Sequence, residues 1–183
     1  MKSLKVKKED AVFVAIDLQE RLLPAMAETE KVTDACVRLA KGVKVLGVPA
    51  IVTQQYTKGL GATVAPFAEA LGEYTLVEKT DFSAAGVPEF KAALEATGKK
   101  SVILCGVEAH VCVLETALDL LEAGYNVFVV NDAVSSRKLS DKNCALVRAA
   151  AAGAWVVTYE SVLFEMLGGA KAANFKEISA IVK

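Results

Sequence analysis

The chain has 183 residues, of which 54% are hydrophobic and 23% charged, and its formal net charge is −1. That length suits a single domain, residues 1–183, with a sizeable core, and the composition excludes a disordered or solvating tail. Its lysines are scattered rather than clustered, which argues against a nucleic-acid or anionic-membrane partner, and charge or glycine interrupts every apolar run before membrane-spanning length.

Residues 1–10 are basic and polar with no apolar stretch behind them, so no secretory signal is expected. The four cysteines are Cys36, Cys105, Cys112 and Cys144. They form no C-x-x-C pair, and without an export signal all four read as reduced thiols of a cytoplasmic protein. His110 is the single histidine. That excludes metal centres built on two or three histidines; no metal and no other cofactor is expected.

In chain order, residues 11–16 read as a strand and 30–46 as a helix closed by Gly47. Residues 50–53 read as a second strand, 54–63 as a loop, and 64–71 as a short helix. A third strand is expected at 74–77, a helix at 88–97, and a fourth strand at 101–105. The next helix spans about 111–123 and the fifth strand 126–130. Ser140 could N-cap a helix running to residue 152. A sixth strand at 154–158 and two short helices, 161–167 and 174–182, complete the series. The regular β-α alternation and the continuously apolar strands predict an α/β fold, a parallel sheet covered by helices on both faces.

Open parallel sheets place their sites beyond the carboxyl ends of the strands. Asp17 directly follows the first strand. It reads either as a strand-end cap or as a general base that takes a thiol proton and later activates water. Lys79, beyond the third strand, reads either as a solvated lysine paired to Glu78 or Asp81, or as a cation holding Asp17 and favouring thiolate. Cys112 lies past the fourth strand near a helix start, where unpaired N–H groups lower a thiol's pKa and can bind an oxyanion. Cys36, Cys105 and Cys144 fit core packing. Tyr56 and Phe82 are candidate pocket walls, although each could pack beneath a loop. His110 is a candidate substrate contact, or is held structurally by a carboxylate or carbonyl.

Three segments together carry a resemblance: Asp17-Leu18-Gln19, Glu78-Lys79-Thr80-Asp81-Phe82-Ser83, and Gly106-Val107-Glu108-Ala109-His110-Val111-Cys112-Val113. The chain resembles the isochorismatase-like cysteine hydrolase superfamily. The loop Thr53 to Gly61 is similar to that of its isochorismatase-domain-containing proteins. The resemblance implies a Rossmann-like three-layer α/β/α sandwich with a six-stranded parallel sheet and a catalytic triad of Asp17, Lys79 and Cys112. It further implies a cis peptide between Val107 and Glu108, with amides around Val107, Glu108, Val111 and Cys112 directed at an oxyanion. Gln19 joins Tyr56, Phe82 and His110 as an expected substrate contact. Gln54-Gln55-Tyr56 stands where nicotinamidases of the superfamily carry an Asp-x-His metal motif. Isochorismatases proper lack the nucleophilic cysteine. The expectation is therefore a metal-independent hydrolase of a small amide, acting on a carbon–nitrogen bond other than a peptide bond through a thioester. It is expected to be a homo-oligomer. The alternatives are a non-catalytic binding or scaffold protein of the same fold, and a thiol redox protein using Cys112 with Cys105 as the nearest resolving partner in sequence.

Overall fold

A computed structural model describes residues 3–183. Six strands form one parallel sheet: β1 (Ala11–Ile16), β2 (Ala50–Gln55), β3 (Thr75–Lys79), β4 (Ser101–Val107), β5 (Asn126–Ser135) and β6 (Trp155–Val157), in the order β3-β2-β1-β4-β5-β6. Eight α-helices flank it: α1 (Thr29–Leu46), α2 (Thr57–Leu60), α3 (Ala65–Leu71), α4 (Pro88–Ala96), α5 (Leu114–Glu122), α6 (Leu139–Ala152), α7 (Tyr159–Leu167) and α8 (Phe175–Val182). The result is a three-layer α/β/α sandwich of Rossmann-like type.

Period-two alternation divides the core between the two faces. From β1, Phe13 and Ala15 join Leu39 and Val43 of α1, Phe67 of α3 and Leu163 of α7 in one apolar layer. Val12, Val14 and Ile16 join Phe90 of α4, Leu120 of α5 and Ala149 of α6 in the other. Every residue of β1 and β4 is buried, as a central strand covered on both faces requires. No described helix is long and apolar enough to cross a membrane.

Several boundaries differ from the sequence expectation. The 54–63 loop contains α2, and β2 extends to Gln55. β3 runs to Lys79, so this lysine is the strand's last residue rather than a loop residue. Lys138 occupies the N-cap of α6 and Ser140 lies inside its first turn. Thr158, read as the end of a strand, instead caps α7: it accepts from Ser161 N while Ser161 Oγ accepts from Thr158 N, a reciprocal capping box. Cys144 is exposed on α6, unlike the buried Cys36 and Cys105.

The largest departure is in β5, which has ten residues. Its register with β4 jumps from Leu104–Val129 to Gly106–Val134. The strand therefore bulges around Asn131 and Asp132 before rejoining the sheet.

Candidate active site

Strand order reverses between β1 and β4, and a parallel sheet opens a crevice at that point. Asp17 stands at the end of β1. It adopts the left-handed region, φ 51°, where Asp is one of the few non-glycine residues commonly found. The conformation is pinned by Asp17 N donating to Thr53 O at 3.2 Å and by Gln19 N donating to Asp17 O at 2.8 Å. Opposite, Gly106 of β4 has φ 117°, and a Cβ there would lie 2.0 Å from the Ile16 carbonyl oxygen. Only glycine lets β4 run this close to the end of β1.

The Asp17 carboxylate and the Lys79 ammonium form a 2.8 Å ion pair with both side chains fully buried. Thr53 Oγ1 donates to the other carboxylate oxygen, Oδ1, at 2.6 Å. Lys79 Nζ also donates to Gln55 Oε1 at 2.6 Å, Asp81 O at 3.1 Å and Phe82 O at 3.2 Å. Four acceptors thus surround three N–H bonds, which fixes the position of the Lys79 side chain. Glu78 and Asp81, the solvent-side partners conceivable from sequence, give it no carboxylate oxygen; Asp81 contributes only its backbone carbonyl.

Beyond β4 the Val107–Glu108 peptide bond is cis. The chain then makes a π-helical turn, Ala109–Val113, before α5 begins. Cys112 lies in this turn, 6% exposed. Its thiol is close enough to Asp17 and Lys79 for both charges to act on it. Burial is the main influence and the Asp17 charge the next, with Lys79 opposing; together they push the thiol up to about 12. Here the structure reverses the sequence expectation of a lowered thiol pKa. A helix start favours thiolate locally, but desolvation and an adjacent carboxylate outweigh it.

Two latches hold these pieces in register. Ser83 Oγ donates to Asp119 Oδ2 at 2.6 Å and Ala84 N to Thr116 Oγ1 at 2.9 Å, fastening the segment after β3 to α5. Glu108 Oε2 accepts from Arg137 N and Nε at 3.2 and 3.0 Å. His110 Nδ1 lies 2.9 Å from Ser136 Oγ, so its partner is a hydroxyl rather than a carboxylate or carbonyl.

The remaining candidates separate. Gln19 is completely buried. Its amide donates to Gln55 O and Gly61 O and accepts from Gln55 N, so it braces the loop after β2. Tyr56 and Phe82 are 54% and 56% exposed. They flank Lys79: Tyr56 N donates to its carbonyl, and Phe82 O accepts from its ammonium. Val107 is buried, and Val111 N donates to Glu108 O at 3.1 Å within the π-turn. Thr53 and Gln55 were missed as site residues. The available signal was three consecutive polar residues, Thr53-Gln54-Gln55, closing an apolar strand. Among the described residues, no group of three or more His, Cys, Asp or Glu side chains is arranged to hold a metal.

Comparison with known proteins gives this geometry its context. The isochorismatase domain model matches residues 11–161. Isochorismatase domain-containing protein 1 of Danio rerio is 42% identical over 174 residues, 94% of this chain and 61% of that protein. The chain thus spans about three fifths of that relative's length. MAR1 ribonuclease from Caenorhabditis elegans superposes with a TM-score of 0.92 at 37% identity, covering 97% of this chain and 92% of that one. YcaC from Pseudomonas aeruginosa, solved with hexane-2,5-diol and covalent acrylamide, superposes with a TM-score of 0.93 at 27% identity, covering 100% and 92%. YcaC from Escherichia coli, described as an octameric hydrolase of unknown specificity, gives 0.92 at 27% identity, covering 99% and 92%. The chain belongs to the isochorismatase family and has the fold of its hydrolases.

Proposed function

We propose that the protein is a metal-independent cysteine hydrolase of small amides, with Cys112 as nucleophile, Asp17 as general base and acid, and Lys79 as the fixed cation that holds Asp17. The observation that carries this reading is the Cys112 thiol set against a fully buried Asp17–Lys79 pair where the strand order reverses. A thiol at about 12 rests protonated near neutral pH, so attack and proton removal belong to one step. As sulfur bonds to the substrate carbonyl carbon, the S–H proton passes to Asp17. Backbone amides of the turn from Glu108 to Cys112 receive the oxyanion. Val111 N–H must first release Glu108 O to join them. The carbon–nitrogen bond then breaks and Asp17 returns the proton to the departing amine, leaving a thioester. Asp17 next takes a proton from water as its oxygen attacks. The carbon–sulfur bond breaks and the sulfur recovers the proton.

Lys79, surrounded by four acceptors, takes no part in proton transfer. Exposed Tyr56 and Phe82 at the rim offer flat apolar faces to a substrate, and His110 remains a candidate contact on the same turn as Cys112. The covalent acrylamide of Pseudomonas YcaC supports a nucleophile in this fold able to engage a small amide-bearing molecule. The worm relative is described as a ribonuclease. Here the scattered lysines, the net charge of −1 and the engaged Lys79 offer little to a phosphodiester backbone. Cys105 is fully buried with its thiol against Cys36, which leaves the redox alternative without its resolving partner. The octameric E. coli relative supports a homo-oligomer, and exposed Leu139 and Val147 on α6 supply apolar surface.

A panel of small amides, with a single-stranded RNA as counter-substrate, tests the reading. Wild type is expected to release amine from at least one amide and to show a Cys112 acyl adduct by mass spectrometry. Equal turnover of that amide by Cys112→Ala rejects the nucleophile.

A further inference from the structure

The carboxyl end of β5 opens a second polar cavity, of about 330 Å³, whose lining shares no residue with the hydrolytic group. The β5 bulge forms one wall, and the first two turns of α1 with the residues just before it, together with the first turns of α6 and α7, form the others. Five charged residues line it: Glu28, Lys31, Asp34, Asp132 and Lys142. Glu28 pairs with Lys31, and Asp34 pairs with Arg38. Asp132 and Lys142 remain. Asp132 Oδ1 accepts from Tyr159 N at 2.9 Å, but no ion pair joins either residue to any described side chain. Both are half-buried; the Glu28 carboxylate acts on Lys142 by charge first and Asp132 next, while Asp132 is acted on by Lys142 and, in the opposite sense, by Glu160. Burial drives the Asp132 carboxyl above and the Lys142 ammonium below their ordinary ranges.

A half-desolvated acid and base facing one cavity without touching leave room for a molecule that carries both complements. An anion alone meets the carboxylates of Glu28, Asp34 and Asp132; a cation alone meets Lys31 and Lys142. Only a ligand of both signs finds a favourable partner at each end. The wall is also preformed: Ser135 Oγ donates to Ala27 O at 2.6 Å and Ala27 N to Ser136 O at 2.9 Å, which limits the ordering cost of binding. The volume lies at the small end of ligand pockets, which run from roughly 300 Å³.

We propose that this cavity binds a small zwitterion of the α-amino acid class, with its carboxylate on Lys142 and its ammonium on Asp132. Calorimetry and saturation-transfer NMR on the full chain test it. The probes are the twenty standard amino acids, with acetate and methylammonium as single-charge controls. At least one amino acid is expected to bind saturably with Kd below about 1 mM, and each control at least about tenfold more weakly. Lys142→Met and Asp132→Asn are each expected to weaken that amino acid about tenfold or more, the loss of one charged hydrogen bond. Cys112→Ala is expected to bind it unchanged, which separates this site from the hydrolytic one. Should Asp132→Asn fail to fold, Lys142→Met alone decides. The proposal is overturned if no amino acid saturates, if acetate or methylammonium binds as tightly, if Lys142→Met binds like wild type, or if binding disappears in Cys112→Ala.

Discussion

Two acid–lysine couples stand near the same edge of the sheet in opposite condition. Asp17 and Lys79 are fully buried, 2.8 Å apart and hydrogen-bonded on every side. Asp132 and Lys142 are half-buried, unpaired, and set around a cavity. The contrast shows what complete desolvation demands. A buried charge persists only where partners replace its water, whereas a half-exposed one keeps enough solvent to stand alone. The first couple is fixed by its surroundings, and the second remains open to a ligand.

The comparison is sharpened most by cutting the first couple. Lys79→Met strands the Asp17 carboxylate without a cation, and loss of about 3–5 kcal/mol is expected for one partner of a buried pair. Urea unfolding measures it. A loss below about 1 kcal/mol would mean that water reaches Asp17, and would erase the difference between the couples. Thr53→Val deletes the hydroxyl that donates to Asp17 Oδ1 and should cost about 1.5–3 kcal/mol, the range for hydrogen bonds to charged groups. Gln55→Leu should cost less, because Lys79 keeps three acceptors for its three N–H bonds. If Gln55→Leu proved the more damaging of the two, the view of Lys79 as saturated would fail.

Cys112 extends the comparison to pH. Its folded-state value is raised from the ordinary 9.0 to about 12. Between those values the folded chain holds a proton that the unfolded chain has released. This contribution to stability is therefore fully present below pH 9 and is lost as pH rises towards about 12. Cys112→Ala should unfold with a shallower decline over that range than wild type, read as urea midpoints at several alkaline pH values. Parallel declines would show that the thiol is not desolvated. Alkylation supplies a second reading: near neutral pH, iodoacetamide should modify exposed Cys144 well before Cys112.

What could be read from the sequence follows from how local each cause is. Alternating β and α patterns and apolar strands report on their own segments, so the layered fold was legible. Asp17 and the Cys112 segment were legible as polar interruptions immediately beyond apolar runs. Thr53 and Gln55 were not assigned, because their partners lie on neighbouring strands and depend on the order β3-β2-β1. The β5 bulge escaped because the apolar run ends at Val130, and the return of Ala133–Ser135 to the sheet depends on pairing with Gly106 and Val107. The thiol's direction was misjudged for the same reason. A helix start is visible in sequence, but burial beneath the sheet edge and the nearness of Asp17 belong to tertiary structure.

The smallest expected effect tests the second couple. Lys142→Met removes a half-buried ammonium that makes no hydrogen bond or ion pair among the described residues. Its burial lowers its pKa, so the charged form gains little from the folded state. Replacing it with an apolar side chain of similar length should change stability by no more than about 0.5 kcal/mol, as for a surface site without a special contact. The same chemical change, Lys to Met, would then differ several-fold in cost between Lys79 and Lys142. Nearly equal costs would show that Lys142 has a partner in solution. Direct pairing with Asp132 would fill the gap between them and leave no room for a bridging ligand.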